Sequence, residues 1–509
     1  MSRDEFLDFE RAETGIEGLD KILGGGFPIH RMYLVEGDPG AGKTTLALQF
    51  LLAGVRKGEA GVYATLSETE EELRDVARSH GWSLEGITIC DLQTAEESLK
   101  ADSQYTLFHP SEVELSETTQ AVLDAVERVK PSRVVFDSLS EMRLLARDSL
   151  RYRRQVLALK HYFTGRRCTV MLLDYGDRAT GDFQLQSLTH GVLSFDQLSP
   201  GYGGQRRRLK VRKVRGISFH DGYHDYAIAK EGLQVFPRLV AASHPREPGA
   251  GQPGRIGSGL PELDRLLGGG LDRGTSVMLL GPSGVGKSTL AAQYVSAAVA
   301  QGERAAVYSF DEAPDSWIDR SQRLGLGLRD ALEKSRLRIR QVDPAELSPG
   351  EFADDVRRAV DEGVGVVVID SLTGYQHSMP DERFLLLHLH ELIAYLNQRG
   401  VLTLIVLSQS GLLGEAVQAP VDLSYLTDTV VLFRFFEAFG EVRQAISVVK
   451  RRTGTHEHSV RELRIDQEGV RVGRELREFQ GVLTGRLEYT GPPAPLMTDH
   501  RTGEEAGVV

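Results

Sequence analysis

The chain has 509 residues, too many for one ordinary domain and suited to about two to four. Its hydrophobic fraction of 41% and charged fraction of 26% are those of a globular protein, and no apolar run approaches the roughly 18 residues of a membrane span. A net charge of −12 argues against a broad nonspecific nucleic-acid surface, while leaving room for a local basic channel.

Met1 to Phe6 carry acidic residues, Asp4 and Glu5, where a signal peptide would be apolar. The lead-in Thr14 to Gly26 contains Gly18-Leu19-Asp20 and ends in three glycines. Alternating apolar runs and amphipathic stretches follow. Arg31 to Glu36, Gly61 to Leu66, Arg133 to Asp137 and Thr169 to Asp174 read as buried strands. Ala47 to Lys57, Glu70 to His80, Thr118 to Val129 and Ser149 to Gly165 read as helices. The alternation predicts a mostly parallel sheet with helices on both faces. Arg206 to Arg215, the densest basic stretch, and Ala445 to Lys450 read as antiparallel strands closing each half. The only cysteines, Cys90 and Cys168, fall at or within predicted strands and read as small buried hydrophobes. Such sparse usage fits a reducing cytoplasm.

After the first predicted strand comes Gly37-Asp38-Pro39-Gly40-Ala41-Gly42-Lys43-Thr44, and much later Gly281-Pro282-Ser283-Gly284-Val285-Gly286-Lys287-Ser288. Both are phosphate-binding loops by spacing. The glycines let backbone N–H groups wrap a phosphate chain, the lysine meets the outer phosphates, and the hydroxyl ligates Mg²⁺. Thr45 and Thr289 follow at the start of a helix whose N-terminal dipole favours anions. Two copies in matching context imply that the chain handles nucleoside triphosphates twice.

The repeat is wider than the loops. Ser258 to Gly270 answers Thr14 to Gly26, and the separation is the same at Asp20 and Asp264 as at Lys43 and Lys287. Asp137-Ser138-Leu139 answers Asp370-Ser371-Leu372 at a smaller separation, so the first copy carries extra residues, expected around Lys100 to Ser116. The Pro- and Gly-rich stretch 244–254 reads as a linker between units 1–243 and 255–490, with 491–509 a flexible tail.

Three further elements complete the expected chemistry. Asp137 and Asp370 end apolar strands, where a triphosphatase needs a second Mg²⁺ ligand. Ser67-Glu68 and Asp311-Glu312 follow the second strand of each half. A carboxylate there suits a base for water, and equally an acid favoured by a helix N-terminus. Lys213-Val214-Arg215 and Lys450-Arg451-Arg452 recur late in each half. They suit cations that reach a neighbouring subunit's nucleotide, or the solvated face of a strand.

With these residues in place the chain resembles the KaiC family, within the RecA-like ATPases, from about Glu10 to Tyr489. The resemblance implies two tandem RecA-like P-loop NTPase domains, each a mostly parallel sheet flanked by helices. It implies a homohexamer of stacked rings with ATP and Mg²⁺ at subunit interfaces. Lys43, Thr44, Asp137, Lys287, Ser288 and Asp370 match the family's nucleotide and Mg²⁺ positions. Glu68, Asp311 and Glu312 match its paired catalytic carboxylates, but Ser67 replaces the first of the pair, which implies slower hydrolysis in the first half. Lys213, Arg215, Lys450, Arg452 and His456 match subunit-bridging positions, whereas Phe219 stands at the first half's histidine position, with His220 next to it. Ser424 aligns with the family phosphoserine, and Tyr425 and Ala419 replace threonines, which leaves a one-site cycle. Ser424 read without the family is simply a polar residue before a strand.

The expected function is a cytoplasmic signalling or timing ATPase with serine autokinase activity at Ser424 and protein partners that the sequence does not identify. Two other readings stay open. One is a nucleic-acid motor or recombinase of the RecA and DnaB kind, disfavoured by the acidic charge and the lack of an appended DNA-binding module. The other is a nucleotide-gated assembly scaffold with weak catalysis, suggested by Ser67.

Overall fold

The computed structural model describes residues 10–92, 110–146, 148–175, 183–199, 201, 203–244, 254–378, 385–409, 425–483 and 488–491. The chain divides into two compact units, Met1–Arg238 and Leu239–Val509. Residues just after the division already pack in the second unit. Ala241 is buried there, and its N–H donates to the Glu391 carboxylate at 2.8 Å. Most of the expected linker, 245–253, lies outside the described residues, as do Ser424, Ala419 and 93–109, where the first copy's extra residues were expected.

The first unit's sheet has nine strands: β1 (Met32–Gly37), β2 (Gly61–Thr65), β3 (Ile87–Asp91), β4 (Arg133–Asp137), β5 (Thr169–Tyr175), β6 (Gly191–Leu198), β7 (Arg206–Val214), β8 (Tyr223–Ala229) and β9 (Gly232–Phe236). Their spatial order is β3-β2-β4-β5-β1-β6-β7-β8-β9. The second unit's strands are β10 (Ser276–Gly281), β11 (Arg304–Ser309), β12 (Leu337–Gln341), β13 (Val364–Asp370), β14 (Leu402–Ser408), β15 (Thr429–Ala438), β16 (Glu441–Arg451), β17 (Arg461–Asp466) and β18 (Gly469–Glu475). Their order, β12-β11-β13-β14-β10-β15-β16-β17-β18, is the same path. In both units the strands from β3 to β6, or β12 to β15, are parallel, and the last three pair antiparallel. Two mostly parallel sheets flanked by helices are the expected fold class.

Alternation along the strands explains the layers. Tyr33 and Val35 enter one core with Leu46, Phe50 and Leu51 of the helix Lys43–Arg56. Leu34 faces the other way, into a core with Val134, Phe136, Tyr152 and Leu159. The second unit repeats this, with Val277 and Leu279 on one side and Met278 on the other. The helix after the first loop begins earlier than periodicity alone suggests, at Lys43 and not near Ala47. Its N-cap is Gly42 at φ 89°, a left-handed conformation that lets the loop run directly into the first turn.

Both cysteines are free; Cys168 is buried and Cys90 half-buried, beside the core as expected. Among the described residues no helix is long and apolar enough to cross a membrane.

Candidate functional site

The sheet order places each phosphate loop and its predicted carboxylates at one edge. β1 ends at Gly37 and opens the phosphate loop at the carboxyl ends of the parallel strands. β2 and β4 are neighbours with Thr65 opposite Asp137, so Ser67, Glu68 and Asp137 share that edge. Ser309 opposite Asp370 does the same for Asp311 and Glu312. Ligands of open α/β sheets bind in this crevice. The second unit's cleft has a volume of about 360 Å³ and is lined by Gly286, Lys287, Ser288, Asp311, Glu312 and Asp370, among others.

The loops are built alike. Gly40, Gly42, Gly284 and Gly286 all have positive φ, the geometry that turns successive N–H groups toward an anion. A Cβ on Gly42 would lie 2.8 Å from Ile228 Cδ1, and one on Gly286 would lie 2.1 Å from Ile465 Cδ1. With φ at 89° and 99° the two positions favour glycine, and any side chain there would also have to displace the isoleucine tip beneath the loop. Gly37 and Gly281 face a similar limit, a Cβ falling 2.8 Å from Phe195 Cβ and 2.7 Å from the Phe433 carbonyl oxygen.

Each lysine is buried and arches over its own loop. Lys43 Nζ donates to the Gly37 and Asp38 carbonyls at 2.7 and 3.0 Å, and Lys287 Nζ to those of Gly281 and Pro282 at 2.9 and 2.6 Å. Burial holds the Lys43 ammonium below its usual range and pushes Lys287 down to about 8. A cation poor in solvent is prepared for a polyanion.

Asp137 and Asp370 are buried strand ends, 6% and 8% exposed, and burial raises both carboxyls. The Ser288 hydroxyl donates to Asp370 Oδ1 at 3.0 Å. That hydroxyl and carboxylate form a hard-oxygen pair suited to Mg²⁺, which prefers one or two protein ligands plus phosphates and water. In the first unit Asp137 instead accepts from Tyr63 Oη at 2.6 Å and Ser67 Oγ at 3.4 Å, while the Thr44 hydroxyl faces Tyr63 and Glu68. Thr45 is buried in the first turn beside them.

The second-strand carboxylates differ between copies. Thr65 pins the Glu68 backbone, accepting its N–H at 3.0 Å and donating to its carbonyl at 2.7 Å; Ser309 pins Glu312 in the same way at 3.1 and 2.7 Å. Beyond the backbone they part. Glu68 Oε2 is buried without a hydrogen-bond partner among the described residues, and burial, with the Asp137 charge next, pushes its carboxyl up to about 7. Glu312 receives Arg320 Nη2 at 2.8 Å and Nε at 3.3 Å. Asp311 accepts from Ser371 Oγ at 2.6 Å, whereas the equivalent Ser138 Oγ is buried without a partner among the described residues.

The Lys-x-Arg pairs lie elsewhere. Val214 pairs with Gly191, which in turn pairs with Tyr33 near the start of β1, so Lys213 and Arg215 sit toward the sheet edge opposite the loop. Lys450 opposite Val430 does the same in the second unit. Both pairs bind carbonyls of the segment that leads into the preceding strand, β6 or β15: Lys213 to Thr189 at 2.9 Å, Arg215 to Ser187 at 2.9 Å, Lys450 to Thr427 at 2.7 Å and Arg452 to Tyr425 at 2.8 Å. His456 packs edge-on to His458, its buried Nε2 without a partner among the described residues. Phe219 packs on the first core, and His220 is exposed beside it.

Sequence reasoning missed Tyr63 and Arg320. Position-by-position comparison of the two copies would have flagged both, because Val307 and Val76 stand at the equivalent places.

The comparisons with known proteins agree with this duplicated site. Residues 12–240 and 256–477 each match the KaiC ATPase family. The chain is similar to the circadian clock protein KaiC3 of Synechocystis sp., 27% identical over 94% of this chain and 95% of that protein. It is also similar to the circadian clock oscillator proteins KaiC of Synechococcus elongatus, 25% identical over 93% and 91% of the two chains, and of Acaryochloris marina, 24% identical over 93% and 90%. With both halves matched, and a phosphate loop, a strand-end aspartate and a glutamate after the second strand in each, the chain belongs to the KaiC ATPase family.

Proposed function

We propose that the chain is a Mg²⁺-dependent ATPase that works as a homohexamer with a nucleotide site in each ring, and that its second unit transfers phosphate to Ser424. The observation that carries the ATPase assignment is the second cleft, where Lys287, Ser288, Asp370 and Glu312 line one cavity. Lys287 and the loop N–H groups bind the outer phosphates. Ser288 and Asp370 would hold Mg²⁺, which offsets charge on the phosphates. Glu312 stands where it can take a proton from an attacking water. Asp311, tied to Ser371, orients that carboxylate pair.

The hexamer is supported by the Lys-x-Arg pairs. They stand away from their own loop, so a nucleotide contact requires a neighbouring subunit. Autophosphorylation rests on the alignment of Ser424 alone. The relatives named as clock proteins suggest a timing or signalling role. Acidic net charge favours this over a nucleic-acid motor.

The test is phosphopeptide mapping and phosphate release after incubation with Mg²⁺-ATP, beside Lys43→Ala and Lys287→Ala. Phosphate on Ser424 that disappears in Lys287→Ala is the expected result. Hydrolysis with no phosphopeptide would remove the kinase half, and a monomer by light scattering with ATP present would remove the ring.

A further inference from the structure

We propose that Arg320 is a positioning residue for hydrolysis in the second unit: it fixes the Glu312 carboxylate relative to the phosphate loop, a device the first unit lacks. This rests on the reading of Glu312 as the base.

Arg320 lies on the helix Pro314–Arg323, after β11. Trp317, fully buried, seats that helix, and the Ser321 hydroxyl donates to the Trp317 carbonyl at 2.8 Å. The guanidinium carbon lies 5.8 Å from the Trp317 ring centroid, so the arginine head also stands over the indole of its own helix. Its head bridges two elements. Two nitrogens donate to the two oxygens of Glu312, and the third, Nη1, reaches Thr289 Oγ1 at 3.4 Å. Thr289 is the residue after Ser288 on the loop helix. Glu312 is thus held at its backbone by Ser309 and at its carboxylate by a planar fork that itself touches the phosphate-binding helix. Arg320 lines the same cleft, and its charge draws Asp370 down against the burial that raises it.

The first unit provides an internal control. The spacing that maps Lys287 onto Lys43 maps Glu312 onto Glu68 and Arg320 onto Val76. Val76 packs partly buried on the core, and Glu68 has the backbone clamp without the cation. The two copies share loop, strand-end aspartate and backbone clamp; besides Ser67 in place of Asp311 and Tyr63 in place of Val307, they differ in this tether. Misplacing a reacting group by about 1 Å costs on the order of a hundredfold in rate, so a tether of this kind reads out in turnover more than in affinity.

The experiment uses the full chain carrying Glu68→Gln, which leaves the first phosphate loop intact and isolates turnover at the second site. Arg320→Met, Arg320→Lys, Glu312→Gln and the double variant Arg320→Met/Glu312→Gln are compared for kcat, KM and affinity for a non-hydrolysable ATP analogue. The expected result is a kcat lowered about tenfold or more in Arg320→Met, with KM and analogue affinity changed less than about threefold. Arg320→Lys should recover part of the loss, and Arg320→Met should add nothing once Glu312 is Gln. An equal loss in the Glu312→Gln background, a rise in KM with kcat kept, or full turnover in Arg320→Met overturns the proposal. If Arg320→Met does not fold, wild-type kcat in Arg320→Lys overturns it, and a selective kcat loss there, absent in the Glu312→Gln background, supports it. Full turnover in Glu312→Gln removes the base assignment and this inference with it, so the two failures are told apart.

Discussion

Tyr63 is fully buried beneath the first site, and its hydroxyl donates to Asp137 Oδ2 at 2.6 Å. Removing a donor to a buried charged acceptor typically costs about 1.5–3 kcal/mol. Tyr63→Phe should destabilise the first unit by about that much without Mg²⁺, read by urea unfolding. The deficit should shrink when Mg²⁺-ATP is added if Asp137 is a Mg²⁺ ligand as proposed, because the cation would then offset the carboxylate's lost donor. An unchanged midpoint without Mg²⁺ would show that the hydroxyl contributes nothing net. Neither Tyr63 nor Arg320 was legible as part of the two candidate sites, although Lys43, Asp137, Lys287 and Asp370 were. The legible residues sit in short contiguous patterns whose chemistry is local. Tyr63 reads only as part of an apolar run. Its partner is chosen when β2 pairs with β4, so that two residues far apart in the chain meet across a register.

Elements were more legible than single contacts, because periodicity in each half is strong and the two halves repeat it. Strand β4 reads as buried from its apolar run, and it is; yet it begins with Arg133, whose side chain is 1% exposed. The guanidinium is absorbed by the Glu59 carboxylate at 2.5 Å and by the Glu13 and Phe50 carbonyls at 2.6 and 2.8 Å. It thereby ties β4 to the end of the helix Lys43–Arg56 and fixes how that helix lies on the sheet. Gly54 in that helix is where the two meet. A Gly→Ala change inside a helix ordinarily stabilises by up to about 1 kcal/mol. Here the new Cβ would stand 2.7 Å from both Cδ and Nε of Arg133, and three hydrogen bonds prevent the arginine from yielding freely. Overpacking of this kind costs about 1–3 kcal/mol, so the clash should win. Gly54→Ala is expected to lower the first unit's unfolding midpoint, and a raised midpoint would mean that the arginine clip is loose.

Across the whole chain, pH dependence is a sum of terms with opposite signs, so an acid titration of the wild type alone decides little. Burial raises the carboxyls of Asp20, Glu36, Asp137, Asp370 and Glu462, and each takes up a proton more readily folded than unfolded. These terms favour the folded state as pH falls. Buried histidines act the other way, and the two largest shifts are in the first unit. His190 and His224 are both pushed down to about 4 by burial, with nearby cations assisting. His224 is the better probe, being 1% exposed on β8. Its Nδ1 accepts the Arg238 N–H at 2.8 Å, and its Nε2 lies 3.0 Å from the His220 carbonyl oxygen, an arrangement that suits the neutral ring with its proton on Nε2. Unfolded, the ring titrates near its ordinary value of about 6.5. The stability it confers is therefore complete above about pH 6.5 and is lost progressively as pH falls toward about 4. The slope approaches about 1.4 kcal/mol per pH unit for one proton. His224→Gln removes this term and leaves the carboxylates in place. Subtracting the two stability curves then cancels the opposing terms. The wild type should be the more stable at pH 7.5, and its advantage should narrow steadily below pH 6.5, checked by urea midpoints across that range. A gap that stays constant from pH 7.5 to 4.5 would mean that His224 keeps its ordinary affinity for protons in the fold, and that the acid response of the chain is carried by its carboxylates.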